Sequence, residues 1–170
     1  MTVRLQMNYN TIKQLDIANG PGCRVSLFVQ GCEFNCPGCF NTVAKDFEGG
    51  KPFTDQTVQN ILELCAAEHI SGLSILGGEP LHPRNRNAVA NLVTEFKKVF
   101  PEKTVWIWTG YLYEEVSDFL AKLAGKVDVL VDGRFVESLK DLRLPYAGST
   151  NQRVIDVTCT LLTGALTLYK

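Results

Sequence analysis

Short apolar segments of strand length alternate along the chain with longer segments of helical periodicity, and this alternation is the strongest constraint on the fold. The predicted strands are residues 25–29, 73–76, 104–108, 127–131 and 154–157, with a further edge strand over 9–17. The predicted helices are 54–69, 85–100 and 112–124. Strands that alternate with helices indicate right-handed βαβ units and a mainly parallel sheet. We therefore predict an α/β fold in one domain, residues 1–170.

The composition excludes several classes of protein. Of the 170 residues, 17 are basic and 18 are acidic, which gives a formal net charge of −1. The chain therefore lacks the excess of positive charge that is typical of nucleic-acid-binding proteins. No apolar run reaches the roughly 18 residues of a membrane-spanning helix. The first ten residues contain no hydrophobic segment like that of a signal peptide. These observations predict a cytoplasmic protein that binds neither nucleic acid nor membranes.

Three of the six cysteines, Cys32, Cys36 and Cys39, lie close together directly after the first predicted strand. Their C-x3-C-x2-C spacing supplies three thiolates, whereas a cluster of four irons normally binds four, one for each iron. Three thiolates leave one iron open to a ligand from outside the protein, and an open coordination position usually indicates a site of chemistry. The spacing therefore favours a [4Fe–4S] cluster with one open iron.

The same cysteines allow two other interpretations. Cys36 and Cys39 could form half of a zinc site with His69 or His82, although no second paired motif is present. A C-x-x-C redox pair would leave Cys32 without a role. Disulfides are disfavoured in a reducing compartment. The remaining cysteines are predicted to be structural: Cys23, Cys65 and Cys159.

A glycine-rich or polar segment follows each of four predicted strands, 25–29, 73–76, 104–108 and 127–131. These segments are residues 32–39, 77–80, 109–111 and 132–135. The carboxyl ends of parallel strands form one rim, and ligands of α/β proteins bind at that rim. Each segment alone is also consistent with an ordinary turn or helix cap. Their common position predicts that they belong to one binding site.

Individual residues in these segments are suited to contacts with a ligand. Gly77 and Gly78 would allow a ligand to approach the backbone closely, and Glu79 would offer a carboxylate to a ligand ammonium group. Further polar candidates at the same rim are Thr109, Asp132 and Asn151.

The combination of these motifs resembles the radical S-adenosylmethionine superfamily. The two motifs that carry this resemblance are C-x3-C-x2-C after the first strand and Gly-Gly-Glu-Pro after the second. Within the superfamily, the chain is most similar to the activating enzymes of anaerobic (class III) ribonucleotide reductase. The segments that carry the closer similarity are 19–24, 36–41, 108–111, 128–133 and 148–153, and the resemblance covers about residues 8–157.

The resemblance implies the cofactors and the partners. Cys32, Cys36 and Cys39 would hold a reduced [4Fe–4S] cluster whose open iron binds the amino and carboxylate groups of S-adenosylmethionine. One electron, supplied by a flavodoxin or ferredoxin, would cleave a C–S bond to give methionine and a 5′-deoxyadenosyl radical. That radical would remove hydrogen from a glycine Cα on the large glycyl-radical subunit of anaerobic ribonucleotide reductase.

The resemblance also implies roles for the other candidate residues. Those that would bind S-adenosylmethionine are Gly77, Gly78 and Glu79 at its methionine end, and Gly38 and Phe40 near its adenosine. Those that would contact the ribose, the carboxylate or a bound cation are Thr109, Asp132 and Asn151.

The length of the chain limits the architecture that the resemblance implies. A closed barrel of eight βα units typically takes about 250 residues. We therefore expect an open partial (β/α) barrel of five or six mainly parallel strands, of the radical S-adenosylmethionine type, with an open edge for a loop of the partner. Two alternative functions remain: a radical S-adenosylmethionine enzyme that acts on a small molecule, such as a deazapurine synthase, and a non-enzymatic iron–sulfur or zinc-binding module.

Overall fold

Seven strands form one mixed sheet in a computed structural model, which describes residues 6–170. The strands are β1 Asn8–Asp16, β2 Cys23–Val29, β3 Lys51–Pro52, β4 Ile70–Gly77, β5 Thr104–Trp108, β6 Val129–Asp132 and β7 Arg153–Asp156. The helices are α1 Asp55–Cys65, α2 Arg86–Val99, α3 Tyr113–Lys122 and α4 Val157–Thr163, and short 3-10 helices lie at Thr42–Ala44 and Glu137–Leu139.

The centre of the sheet is parallel and its margins are antiparallel. The strand order is β3-β1-β2-β4-β5-β6-β7. Strands β2, β4, β5 and β6 are parallel, while β1, β3 and β7 each run antiparallel to the neighbour they pair with. Helix α2 connects β4 to β5 and α3 connects β5 to β6, so both crossovers have the length that parallel strands require. Strands β3 and β7 lie at opposite edges, and the sheet is not closed.

The two faces of the sheet differ because side chains alternate along each strand. Val105 and Ile107 of β5 are fully buried in the main core, which the apolar sides of the helices cover. Trp106, between them, belongs to a second apolar cluster with Val129 and Val131 on the opposite face. Helix α1 begins where predicted, because the Thr54 side chain accepts a hydrogen bond from the amide of Thr57.

The predicted α/β class and the open sheet are confirmed, and four details are corrected. The sheet is partly rather than mainly parallel, because three of its six pairings between neighbouring strands are antiparallel. The number of strands is seven rather than five or six, because the two-residue β3 pairs with β1 and adds one strand to those predicted. Strand β1, predicted as an edge, is paired on both sides. Helix α1 ends at Cys65 rather than near residue 69, where the Lys103 ammonium group donates hydrogen bonds to the carbonyls of Cys65 and Ala67.

A buried arginine explains part of the segment 19–24. The Arg24 guanidinium is fully buried and donates hydrogen bonds to Ser74 Oγ at 2.7 Å, to Thr104 Oγ1 at 2.9 Å and to the Leu73 carbonyl at 2.9 Å. Burial lowers the pKa of Arg24 to about 10. Ser74 in turn donates to the Asn19 carbonyl at 2.6 Å. Arg24 and Ser74 together therefore hold the loop before β2 against the sheet.

The C-terminal residues 158–170 pack beside β7 at its edge of the sheet. Helix α4 is followed by an isolated bridge between Leu168 and Ile155. The ring of Tyr169 then packs edge-on against Trp106 with centroids 5.0 Å apart. Among residues 6–170, no helix has both the length and the apolar character needed to cross a membrane.

Candidate active site

A cavity of about 660 Å³ lies at the carboxyl ends of the four parallel strands. Residues directly after β2, β4, β5 and β6 all contribute to its wall, as the rim argument predicts for parallel strands. The predicted site residues that line it are Cys32, Cys36, Cys39, Phe40, Gly77, Gly78, Glu79 and Thr109. The structure therefore brings eight separately predicted residues to one cavity.

The segment 32–39, called the cysteine loop below, is held at its base by backbone hydrogen bonds. The amides of Gly31 and Cys32 donate to the carbonyls of Ala44 and Lys45, at 2.7 and 3.0 Å. Gly31 has a φ of +95°, and a Cβ there would lie 2.1 Å from the ring of Phe47. Only glycine fits this position, because the backbone is left-handed and the ring packs directly against it. The loop base is thus fixed while the thiols face the cavity.

The three thiols of the cysteine loop are free and half-buried. Burial raises the pKa of Cys32 to about 11, and the negative charges of Glu79, Cys36 and Cys39 contribute in the same direction. Without a metal, the neutral thiol is therefore favoured at Cys32. Within residues 6–170, no three Cys, His, Asp or Glu side chains converge on a position where a single metal ion would be held.

The Glu79 side chain is buried, with 2% of its surface exposed, and both of its oxygens accept hydrogen bonds. Oε1 accepts from Thr109 Oγ1 at 2.6 Å and from the Leu81 amide at 2.9 Å. Oε2 accepts from the Gly110 amide at 2.7 Å. The carboxylate therefore has a fixed orientation, and Oε2 retains the capacity to accept a further hydrogen bond from a ligand.

Burial raises the pKa of Glu79 to about 7, although its three hydrogen bonds favour the charged form. A cationic group that enters the cavity would stabilise the carboxylate and lower this pKa. Thr109, predicted to contact the ligand, lines the cavity, but its hydroxyl proton is donated to Glu79. The structure thus shows Thr109 as a residue that orients Glu79.

The two glycines before Glu79 are required by a close contact within the protein itself. Gly78 donates its amide to the Val29 carbonyl, and Glu79 donates its amide to the Gly31 carbonyl, both at 2.8 Å. A Cβ at Gly77 would lie 2.7 Å from the Val29 nitrogen, and one at Gly78 would lie 2.5 Å from the Gly31 oxygen. The approach that glycine permits here is therefore between the Glu79 turn, residues 77–82, and the base of the cysteine loop.

The two residues predicted near an adenosine, Gly38 within the cysteine loop and Phe40 directly after it, lie in different environments. Phe40 is 70% exposed, lines the cavity and packs against Phe135 with ring centroids 5.4 Å apart. Gly38 does not line the cavity, has a φ of +73°, and a Cβ there would lie 2.8 Å from the Glu137 carboxyl group. Gly38 therefore shapes the loop, while Phe40 presents an aromatic surface to the cavity.

Asp132 and Asn151 are not brought to the cavity. Asp132 is fully buried, and its carboxylate accepts hydrogen bonds from the Arg153 guanidinium and from the Tyr113 amide at 2.7 Å. Asn151 is exposed and donates from Nδ2 to the Arg134 carbonyl at 2.8 Å. Asp132 thus joins β6, β7 and the start of α3, and Asn151 fixes the turn after β6.

Several residues of the cavity wall were not predicted individually, although some lie in predicted segments. Arg134 stacks on Phe34, with its guanidinium carbon 4.3 Å from the ring centroid, and Phe34 packs edge-on against Tyr111 at 4.9 Å. Gln152 also lines the cavity, and its side-chain oxygen accepts hydrogen bonds from the amides of Gly148 and Ser149. Arg134 could have been predicted to line the cavity, because it follows the predicted strand 127–131 at the same rim. The unpredicted residues on the β1 side of the wall are Asn10, Thr11, Lys13, Ala18 and Asn19.

Comparison with known proteins gives the family of the chain. A family model described as a 4Fe-4S single cluster domain matches residues 18–155. The anaerobic ribonucleoside-triphosphate reductase-activating protein of Enterobacteria phage T4 is 42% identical over 148 residues, which is 87% of this chain and 93% of that protein. Proteins of the same name from Escherichia coli and Vibrio cholerae are 41% and 40% identical, over 87% and 86% of this chain and 97% and 96% of their own. The chain belongs to this family of activating proteins.

Membership of the family confirms the resemblance that the motifs indicated and supports a 4Fe–4S cluster domain. The residues present fit such a cluster. The donors are three free thiols on one loop that line one cavity, and cysteine thiolate is the usual protein ligand of these clusters. A cavity of about 660 Å³ also lies within the usual size range of cofactor-binding pockets.

Proposed function

We propose that the chain activates anaerobic ribonucleotide reductase by generating a glycyl radical on its large subunit, with a [4Fe–4S] cluster and S-adenosylmethionine as cofactors. The observation that carries the proposal is the meeting of three free thiols and a buried carboxylate at one cavity, in a chain of this family. A family of reductase-activating proteins makes the reductase the partner.

Cys32, Cys36 and Cys39 would hold the cluster and leave one coordination position for a ligand from outside the protein. When bound, the cofactors supply the one-electron cleavage of a C–S bond and the radical that takes a hydrogen atom from the partner's glycine Cα. A low-potential flavodoxin or ferredoxin would supply the electron.

Glu79 would hold the ammonium group of S-adenosylmethionine. Glu79 lines the cavity that the thiols also line, and its Oε2 receives one hydrogen bond, from Gly110. The donors from Leu81 and Thr109 fix Oε1, so the carboxylate does not need to reorient when the ligand binds. Phe40 would pack against the adenosine. Asp132 and Asn151 are left out of this proposed contact set because their polar groups are engaged elsewhere.

The open sheet suits a protein substrate. We infer that it is a partial barrel of the radical S-adenosylmethionine type, in which the cavity stays accessible because β3 and β7 do not pair. A loop of the reductase that carries the glycine would enter there. A domain of 170 residues is sufficient for this arrangement, whereas a closed barrel needs more chain.

Activation of the reductase tests the proposal directly. Reconstituted protein, S-adenosylmethionine, a reductant and the large subunit should give an organic radical signal in electron paramagnetic resonance (EPR) spectra. The Cys36→Ala variant should give none and should lose most of its iron and sulfide. The matched control is Cys159→Ala, because Cys159 is exposed and outside the cavity. A radical formed by Cys36→Ala at the wild-type level would contradict the assignment.

A further inference from the structure

We propose that Asn85 is a positioning residue, which fixes the distance between the cysteine loop and Glu79 through two hydrogen bonds of its carboxamide. This inference rests on the proposed function, since it concerns how the two halves of that site are held together. Asn85 does not line the cavity, so it acts through the residues it contacts.

The first observation is that the Asn85 side chain joins two segments that are far apart in the sequence. Nδ2 donates to the carbonyl of Gln30 and to the carbonyl of Glu79, each at 3.0 Å. Gln30 lies two residues before Cys32 and thus at the base of the cysteine loop. Both partners are carbonyl oxygens, so only the NH2 end of the carboxamide satisfies them.

The second observation is that the Asn85 side chain does not cap helix α2, although Asn85 occupies the N-cap position. It is the N-cap residue of α2, where an asparagine side chain usually accepts a hydrogen bond from the helix backbone. Asn85 makes no such bond, and it is 1% exposed. The Asn85 side chain therefore does not cap α2. It instead forms a buried bridge between the two parts of the site.

The Asn85 bridge adds to hydrogen bonds that already join the Glu79 turn to the base of the cysteine loop. The Glu79 turn and the loop base already share the two backbone hydrogen bonds of Gly78 and Glu79. Asn85 adds donors from the side of α2, and its own amide donates to the His82 carbonyl at 2.8 Å. The backbone of Glu79 and the backbone of the loop base before Cys32 are thus fixed relative to the first turn of α2.

Two substitutions separate positioning from helix capping. Asn85→Asp and Asn85→Ser both introduce residues that are strong N-caps, so a capping role predicts an unchanged or more stable α2. Neither side chain supplies two donors to the carbonyls of Gln30 and Glu79. Asn87→Asp is the matched control, because Asn87 is exposed in the first turn of the same helix and gains the same charge.

The first readout is amide hydrogen exchange in the metal-free protein. We expect the amides of Cys32 and Glu79 to exchange at least about tenfold faster in both Asn85 variants than in wild type, as befits loss of a buried hydrogen-bonded bridge. The first turn of α2 should stay as protected as in wild type. Faster exchange confined to α2 would overturn the proposal in favour of capping. If Asn85→Asp does not fold, Asn85→Ser decides the result.

The second readout is the affinity for S-adenosylmethionine, measured by the change that the ligand causes in the EPR signal of the reconstituted, reduced protein. Both Asn85 variants should need about tenfold more ligand than wild type or Asn87→Asp. Wild-type affinity in both Asn85 variants would refute the inference. If wild type itself showed no response to S-adenosylmethionine, the proposed function would fail, while the exchange experiment would still test the bridge.

Discussion

At the scale of single residues, Glu79 shows how the fold holds a buried polar group in one orientation. The carboxylate is buried among three donors from three different positions, Leu81, Thr109 and Gly110. Burial opposes the negative charge while the donors favour it, and burial is the larger effect because the pKa rises to about 7. The carboxylate is thus already oriented for the cation that the proposed function assigns to it.

Thr109→Val tests the orientation of Glu79. Valine has nearly the shape of threonine but cannot donate to Oε1, so the carboxylate loses one of its donors. We expect S-adenosylmethionine to bind about tenfold more weakly, with unchanged iron and sulfide content. Thr94→Val in α2 is the control, because its hydroxyl donates within the helix, to the Ala90 carbonyl. Equal affinity for the two variants would remove Thr109 from the site.

The pKa of Glu79 predicts a pH dependence of stability. A carboxyl with a higher pKa in the folded than in the unfolded state stabilises the fold at low pH, and this contribution is lost as the pH rises through about 7. Metal-free wild type should lose about 3 kcal/mol of unfolding free energy from this residue between pH 4.5 and pH 7.5. Urea unfolding should show a smaller loss for Glu79→Gln, and parallel pH profiles would contradict the shift.

Single residues also show where sequence reasoning reaches its limit. The position of Glu79 after a strand was sufficient to predict a carboxylate at the cavity. The same argument placed Asp132 there, yet its side chain is taken by Arg153, which is 21 positions away. A strand end predicts which rim a residue occupies, but the direction of its side chain depends on partners brought by the tertiary fold. Asn85 was missed for the same reason, since both of its partners are distant backbone carbonyls.

At the scale of elements, the turn after β4 is the part of the fold on which the site depends most. Its backbone lies against the base of the cysteine loop so closely that Gly77 and Gly78 leave no room for a Cβ. The sequence predicted this turn from its glycines and proline. It did not show that the glycines serve contact between two protein segments, because that contact exists only once β2 and β4 are paired.

Gly78→Ala tests this contact. The added Cβ would meet the backbone oxygens of Gly31 and Ala44 at 2.5 and 2.9 Å, and backbone atoms cannot move aside as a flexible side chain does. We expect a loss of about 2 kcal/mol in unfolding free energy and weaker binding of S-adenosylmethionine. Gly164→Ala is the comparison: nothing lies within 4 Å of that position, which follows α4. It should lower stability through its left-handed backbone alone and leave binding unchanged. Matching losses of affinity in the two variants would show that the turn does not set the site.

The predicted elements agree with the structure where local sequence decides them. Apolar runs defined β2, β4, β5 and β6, and helical periodicity with the Thr54 cap defined α1. The two-residue β3 carries too little pattern to be read from sequence. The antiparallel direction of β7 was equally hidden, since it follows from the path of the irregular segment before it.

At the scale of the whole molecule, the arrangement is a parallel centre with antiparallel margins around one cavity. The parallel strands bring the cysteine loop, the Glu79 turn and Thr109 together, although Cys32 and Thr109 are 77 positions apart in the chain. The sheet is also open, with β3 and β7 at opposite edges, and the proposed function uses this opening for a loop of the partner. Topology therefore supplies both features that the proposed activation of a reductase needs.

The most direct test of the account is EPR spectroscopy of the anaerobically reconstituted, dithionite-reduced protein, with and without S-adenosylmethionine. We expect a [4Fe–4S]⁺ signal whose shape changes when the ligand is added, because three thiolates leave one iron open. A signal that does not respond to the ligand, or a protein that holds zinc without acid-labile sulfide, would contradict it.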